Sequence, residues 1–70
     1  MFGVVTNCMR CDVFSAPSDD SQVVCTLDTL TEVMIDHESG PYYRIYTANG
    51  LPGFCRKKYI AVKHQEVDHG

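Results

Sequence analysis

Apolar and polar residues alternate along this chain in short runs. Val4 and Val5 form the apolar part of a run from Gly3 to Thr6. Cys11 and Val13 straddle Asp12, and Val23, Cys25 and Leu27 straddle Val24 and Thr26. Val33 and Ile35 alternate with Glu32, Met34 and Asp36. A period of two places such residues on one face of a half-buried strand. No stretch of ten residues carries apolar positions at the helical period, so no helix longer than a turn is expected. The intervening segments, Ser15 to Ser21, Asp28 to Thr31 and His37 to Pro41, are rich in Ser, Asp, Gly and Pro, which favour turns over ladders.

The most β-prone part of the chain comes next. Tyr42 to Thr47 and Leu51 to Arg56 flank Asn49-Gly50, a dipeptide suited to a type I′ hairpin turn because both residues tolerate positive φ. A strict two-residue loop pairs Ala48 with Leu51 and Ile45 with Phe54, and lays Cys55 beside Arg44. A three-residue loop, or an extra residue near Pro52, is expected to set Ile45 opposite Cys55. That register is preferred, because it buries Ile45 with Cys55, leaves Arg44 out and turns Phe54 away from the main core. Lys57-Lys58-Tyr59 then reads as one tight helical turn, and Ile60-Ala61-Val62 as a last short strand. Five or six short antiparallel strands spaced by turns indicate an all-β fold, and at this size a small barrel, which removes exposed edges.

Seventy residues with 44% hydrophobic content make one small globular domain, expected over residues 3–63 with a polar tail at 64–70. No apolar run approaches the roughly 20 residues that span a bilayer. The opening Met-Phe-Gly-Val-Val-Thr-Asn has neither the charge nor the length of a secretory signal. The expectation is a cytoplasmic product, or a domain of a longer exported chain that works at the cell wall. The net charge of −3 is unevenly placed: residues 1–40 carry −6 and residues 41–70 carry +3. Solvated faces account for this, although such asymmetry also steers partners.

With the strands in place, the order of signals resembles the bacterial SH3 family. The family's opening Val-Thr strand and Leu-Asn-Val-Arg-Ser-Gly-Pro-Ser segment resemble Val5-Thr6 and Cys11 to Ser18. Its Val-Ile-Gly-x-Leu strand resembles Val23 to Leu27, and its Gly-Thr-x-Val turn resembles Leu30 to Val33. Its Gly-Trp-Tyr-Lys-Val resembles Pro41 to Ile45. Its closing Asn-Gly…Gly-Trp-Val…Tyr-Leu resembles Asn49-Gly50, Gly53-Phe54-Cys55 and Tyr59-Ile60. The likeness runs from about Val4 to Val62. Tyr42 and Phe54 stand at the two tryptophan positions, Phe14 at the arginine, and Ala16, Cys25 and Leu30 at glycines. The resemblance implies an SH3-like barrel acting as a non-catalytic binding module, as in relatives that target peptidoglycan or bind proteins. The first loop lacks the aromatics of a proline-peptide groove, so polyproline recognition is not implied.

Candidate chemistry is sparse. Cys8 and Cys11 have the spacing of a zinc half-site, which Cys25 and Cys55 could complete, but the latter two sit within expected strands. Buried thiols are the simpler expectation, and no metal or other cofactor is assigned. A Cys8–Cys11 redox pair has less support, since that motif normally opens a helix. His37, His64 and His69 fall in loops or the tail without ligand spacing, and Asp19-Asp20 and Asp36 with Glu38 read as turn carboxylates. No catalytic residue is assigned. The candidate ligand site is Tyr42, Arg44, Phe54 and Tyr59, where rings would supply contact area and cations would pair with carboxylates on a cell-wall peptide or a protein partner. A nucleic-acid-binding barrel using Arg44, Arg56, Lys57 and Lys58 is the alternative, with a zinc-stabilised structural domain as a third. The acidic total counts against nucleic acid. No membrane partner is expected.

Overall fold

The computed structural model describes residues 1–63 and shows an all-β protein of seven antiparallel strands in one sheet. The strands are β1 (Phe2–Val5), β2 (Arg10–Phe14), β3 (Val23–Asp28), β4 (Glu32–Ser39), β5 (Tyr42–Tyr46), β6 (Pro52–Arg56) and β7 (Ile60–Lys63), with a 3₁₀ turn at Lys57–Tyr59 before the last. Their hydrogen-bonded order is β3-β2-β6-β5-β4-β1-β7. The tight turn and the final strand lie where the sequence places them, and the strands number one more than the five or six expected. The expected tail, with His64 and His69, lies outside the described residues. No helix among the described residues is long and apolar enough to cross a membrane.

The sheet curls around a single core. Val5, Cys11, Val13, Val33, Ile35, Ile45, Cys55 and Ile60, drawn from six strands, pack together almost free of solvent. The turn after β3 fastens the curl. The Val5 amide donates to Thr31, the Leu30 amide donates back to the Val5 carbonyl at 2.7 Å, and the Thr29 amide donates to Met9. Strands β3 and β7 remain the two edges of the ladder. No charged or polar residue is buried among those described, so the core is held by apolar contact alone.

Three sequence expectations are corrected by backbone detail. The 47–51 loop is not a type I′ turn, because only Gly50 takes positive φ (+81°). The Gly50 amide donates to Thr47 and the Thr47 amide to Leu51, a three-residue loop of the G1-bulge kind. It sets Ile45 opposite Gly53 and Tyr43 opposite Cys55, two residues from the register expected. A shift of two conserves the faces, so Ile45 and Cys55 do share the core side, and Arg44 and Phe54 pair on the other.

Strand β4 runs on through His37 and Glu38, which were expected in a loop. An irregularity at Asp36 lets it continue, and Gly40, at φ +57°, turns it into β5. In β3, Cys25 and Leu27 pack on the core as expected, but Val23 does not. The ladder slips between Val13 and Phe14, pairing Val23 with Phe14 on the outer side and leaving it 44% exposed.

A second, smaller cluster forms on that outer side: Phe14, Tyr42 and Phe54, all buried. Phe14 and Phe54 are direct cross-strand partners, and the Phe14 and Tyr42 rings meet edge to face at 6.1 Å and 86°. This geometry suits the ring quadrupoles and adds about 0.5–1.5 kcal/mol beyond the area buried.

Candidate functional site

The four residues expected to form a ligand site do not form one continuous surface. Phe54 lies inside the small cluster and serves as its floor. Arg44, opposite Phe54 in the ladder, holds its guanidinium 5.3 Å from the Phe54 ring and 5.5 Å from the Tyr46 ring. Its Nε is buried without a partner. Both residues belong to the outer face of the sheet, and neither lines a groove beside the 3₁₀ turn.

Tyr42 and Tyr59, by contrast, border two neighbouring grooves that share Arg56. The first groove, about 360 Å³, is lined by Asp19, Pro41, Tyr42, Arg56, Lys57 and Lys58. The second, about 290 Å³, is lined by Cys8, Arg10, Asp12, Phe14, Arg56 and Tyr59. The 3₁₀ turn positions this frontage. The Lys57 amide donates to the Pro41 carbonyl at 2.9 Å, and the Tyr59 carbonyl accepts from the Thr6 amide at 2.8 Å. Asn7, in the left-handed region at φ +61°, donates its side-chain amide to the Lys58 carbonyl. Asn adopts this conformation more readily than most residues.

Asp19 has no local sequence signal as a site residue, yet it organises the first groove. Its loop is tied internally: the Ser15 amide donates to Gln22, and the Ser21 hydroxyl donates to Ser18 at 2.6 Å. The Asp19 carboxylate then accepts from the Tyr42 hydroxyl and pairs with Arg56. The Tyr42 bond, together with Arg56, holds Asp19 below the ordinary carboxylate range despite some desolvation. The same bond raises Tyr42, which keeps its proton. Tyr42 is therefore 5% exposed, with its hydroxyl committed, rather than the open ring expected.

The cations divide by engagement. Lys57 pairs with Glu38 at 2.6 Å, which lowers the Glu38 carboxyl, and it also lies 5.5 Å from the Tyr43 ring. Lys58 makes no ion pair among the described residues and stands 5.0 Å over Tyr59. Tyr59 and Tyr43 both pack partly on the main core, so Tyr59 serves core and surface together. Three cations against one carboxylate give the first groove a positive rim around an apolar floor.

The four thiols converge on one region of the core. Cys11 and Cys55 are buried there, and Cys8 and Cys25 pack against the same cluster. Among the described residues, no three His, Cys, Asp or Glu side chains are arranged to hold a metal ion. No family model matches the chain, and no curated protein matches it in sequence.

Proposed function

We propose that this protein is a non-catalytic binding module of bacterial SH3 type whose paired grooves hold a short extended peptide bearing carboxylates. The observation that carries this reading is the frontage itself. Tyr42 and Tyr59 border adjoining grooves on either side of Arg56, with Lys58, in no ion pair among the described residues, at the rim. A groove of this kind offers ring surface to a chain and point charges to its acids. The stem peptides of peptidoglycan combine extended backbone with free carboxylates and are the ligand favoured here. An acidic segment of a protein partner has the same chemistry.

Co-sedimentation with purified peptidoglycan and titration with an acidic peptide of unrelated sequence separate the two sources. Arg56→Gln and Lys58→Glu should each abolish sedimentation at physiological salt, while Lys63→Gln, on the far edge strand, should not. Binding to the acidic peptide alone would move the reading from wall to protein. Binding to neither would overturn it.

A further inference from the structure

The convergence of all four cysteines is unused by the binding reading, and it does not depend on that reading. Cys8 lies in the loop between β1 and β2 and lines the second groove, where a small molecule can reach it. Cys11, three residues on, is 2% exposed and points into the core. The loop is fixed by Asn7 and Thr6 against the 3₁₀ turn, and Cys8 packs on the same core cluster that contains Cys11, with no helix between them. Cys11 is the hub of the cluster: Cys8, Cys25 and Cys55 each lie close enough to exchange an influence on ionisation with it, and its own thiol donates to the Asp12 carbonyl at 3.5 Å. Arg10 and Arg56 line the groove with Cys8 and Asp12, and each also meets a carboxylate at its border, Arg10 that of Asp28 at 3.4 Å and Arg56 that of Asp19.

We propose that Cys8 and Cys11 form a thiol–disulfide exchange site that accepts small, carboxylate-bearing disulfides through the second groove. The Cys8 thiolate attacks one sulfur of the incoming disulfide, forming a mixed disulfide and releasing one small thiolate. The Cys11 thiolate then attacks the Cys8 sulfur, forming the Cys8–Cys11 bond and releasing the second small thiolate. The protein gives up two protons and two electrons, and the small disulfide is reduced to two thiols.

The environment of Cys11 suits the second step. Cys55 beside it keeps its own proton and, with a smaller contribution from Arg56, makes Cys11 more acidic than an ordinary thiol, against its burial and the nearby Asp12. Cys8 is shifted the other way, by desolvation and by Cys11. Cys8 therefore attacks from a smaller thiolate fraction than Cys11, which favours resolution over accumulation of the mixed disulfide.

The test uses the full reduced chain with glutathione disulfide, read by intact mass and peptide mapping. The expected product has lost two hydrogens and maps as a Cys8–Cys11 link. Cys11→Ala should stop at one glutathionyl group on Cys8, Cys8→Ser should give neither product, and Cys25→Ser should behave as the wild type. The neutral bis(2-hydroxyethyl) disulfide should react more slowly, and the gap should close as salt is added. A Cys11–Cys55 or Cys8–Cys25 link, a persistent adduct on the wild type, or no reaction at Cys8 would overturn the site. Equal rates with the two disulfides would overturn its preference for an anionic substrate. If Cys11→Ala does not fold, mapping of the wild type still decides.

Discussion

Tyr42 donates its phenolic hydroxyl to the carboxylate of Asp19, twenty-three residues earlier in the chain, and so ties β5 to the 15–21 loop. This bond depends on pH at both ends. Asp19 is more acidic in the folded protein than in the unfolded chain, so its contribution is complete above the ordinary carboxylate range. It is lost as pH falls through the lower, folded value. Tyr42 is raised, so its contribution is complete below the ordinary phenol range and is lost as pH climbs through its higher, folded value.

Tyr42→Phe keeps the ring against Phe14 and removes only the hydroxyl. Urea midpoints of wild type and variant should differ most between about pH 5 and pH 9 and draw together below about pH 3. A gap of constant size across that range would show that the bond does not carry the dependence.

Leu30 occupies the left-handed region at φ +68° and is 74% exposed, in the turn between β3 and β4 that bonds to Val5 and Met9. A side chain with a Cβ pays roughly 1–2 kcal/mol to sit there, part of which glycine forfeits through its freer unfolded chain. Leu30→Gly should therefore raise the unfolding free energy by about 0.5–1 kcal/mol, measured by urea denaturation. A loss of stability would mean that Leu30 contributes packing its exposure does not reveal.

How much of this could be read from sequence follows the range of the forces involved. Strand positions and facing residues such as Cys11, Val13, Val33 and Ile35 were legible, because a period of two and turn chemistry act over a few residues. The slips at Val13/Phe14 and at Asp36 were not. Each lets a strand follow the curl of the sheet, which local alternation does not record. The Asn49-Gly50 turn was located correctly, and the three-residue loop offered for the preferred register is the one observed, with Gly50 alone at positive φ. It sets a register two residues from the one expected, however. Of the four residues read as a ligand site, Tyr42 and Tyr59 border grooves. Arg44 and Phe54 line neither groove, and Asp19 was missed because only the fold brings it to Tyr42.

Gly53 faces Ile45 in the ladder and has no room for a side chain. A Cβ there would collide with Val13 Cγ1 and sit 3.2 Å from the Phe14 carbonyl. Gly53→Ala should cost about 1–3 kcal/mol by overpacking. Because the clash is with one methyl group, Val13→Ala should relieve it, and a double-mutant cycle should show clear coupling between the two positions. Additive costs would place the strain in the backbone near Phe14 instead.

Arg44 and Arg56 are both cations on the hairpin, but their settings assign them different work. Arg44 lies against Phe54 and Tyr46 with Nε buried and unpaired, and it lines neither groove. Its two ring contacts are worth about 0.5–1 kcal/mol each, and the unpaired Nε costs roughly 1–3 kcal/mol, so the terms nearly cancel. Arg44→Met keeps the stacked volume and removes the buried donor. It should leave stability within about 1 kcal/mol of wild type and leave peptide binding unchanged. Arg56→Gln should instead lose binding, since Arg56 stands where the two grooves meet. Isothermal titration of both variants with one carboxylate-bearing peptide separates these roles. If Arg44→Met lost affinity while Arg56→Gln kept it, the ligand would lie on the outer face of the sheet rather than along the 3₁₀ turn.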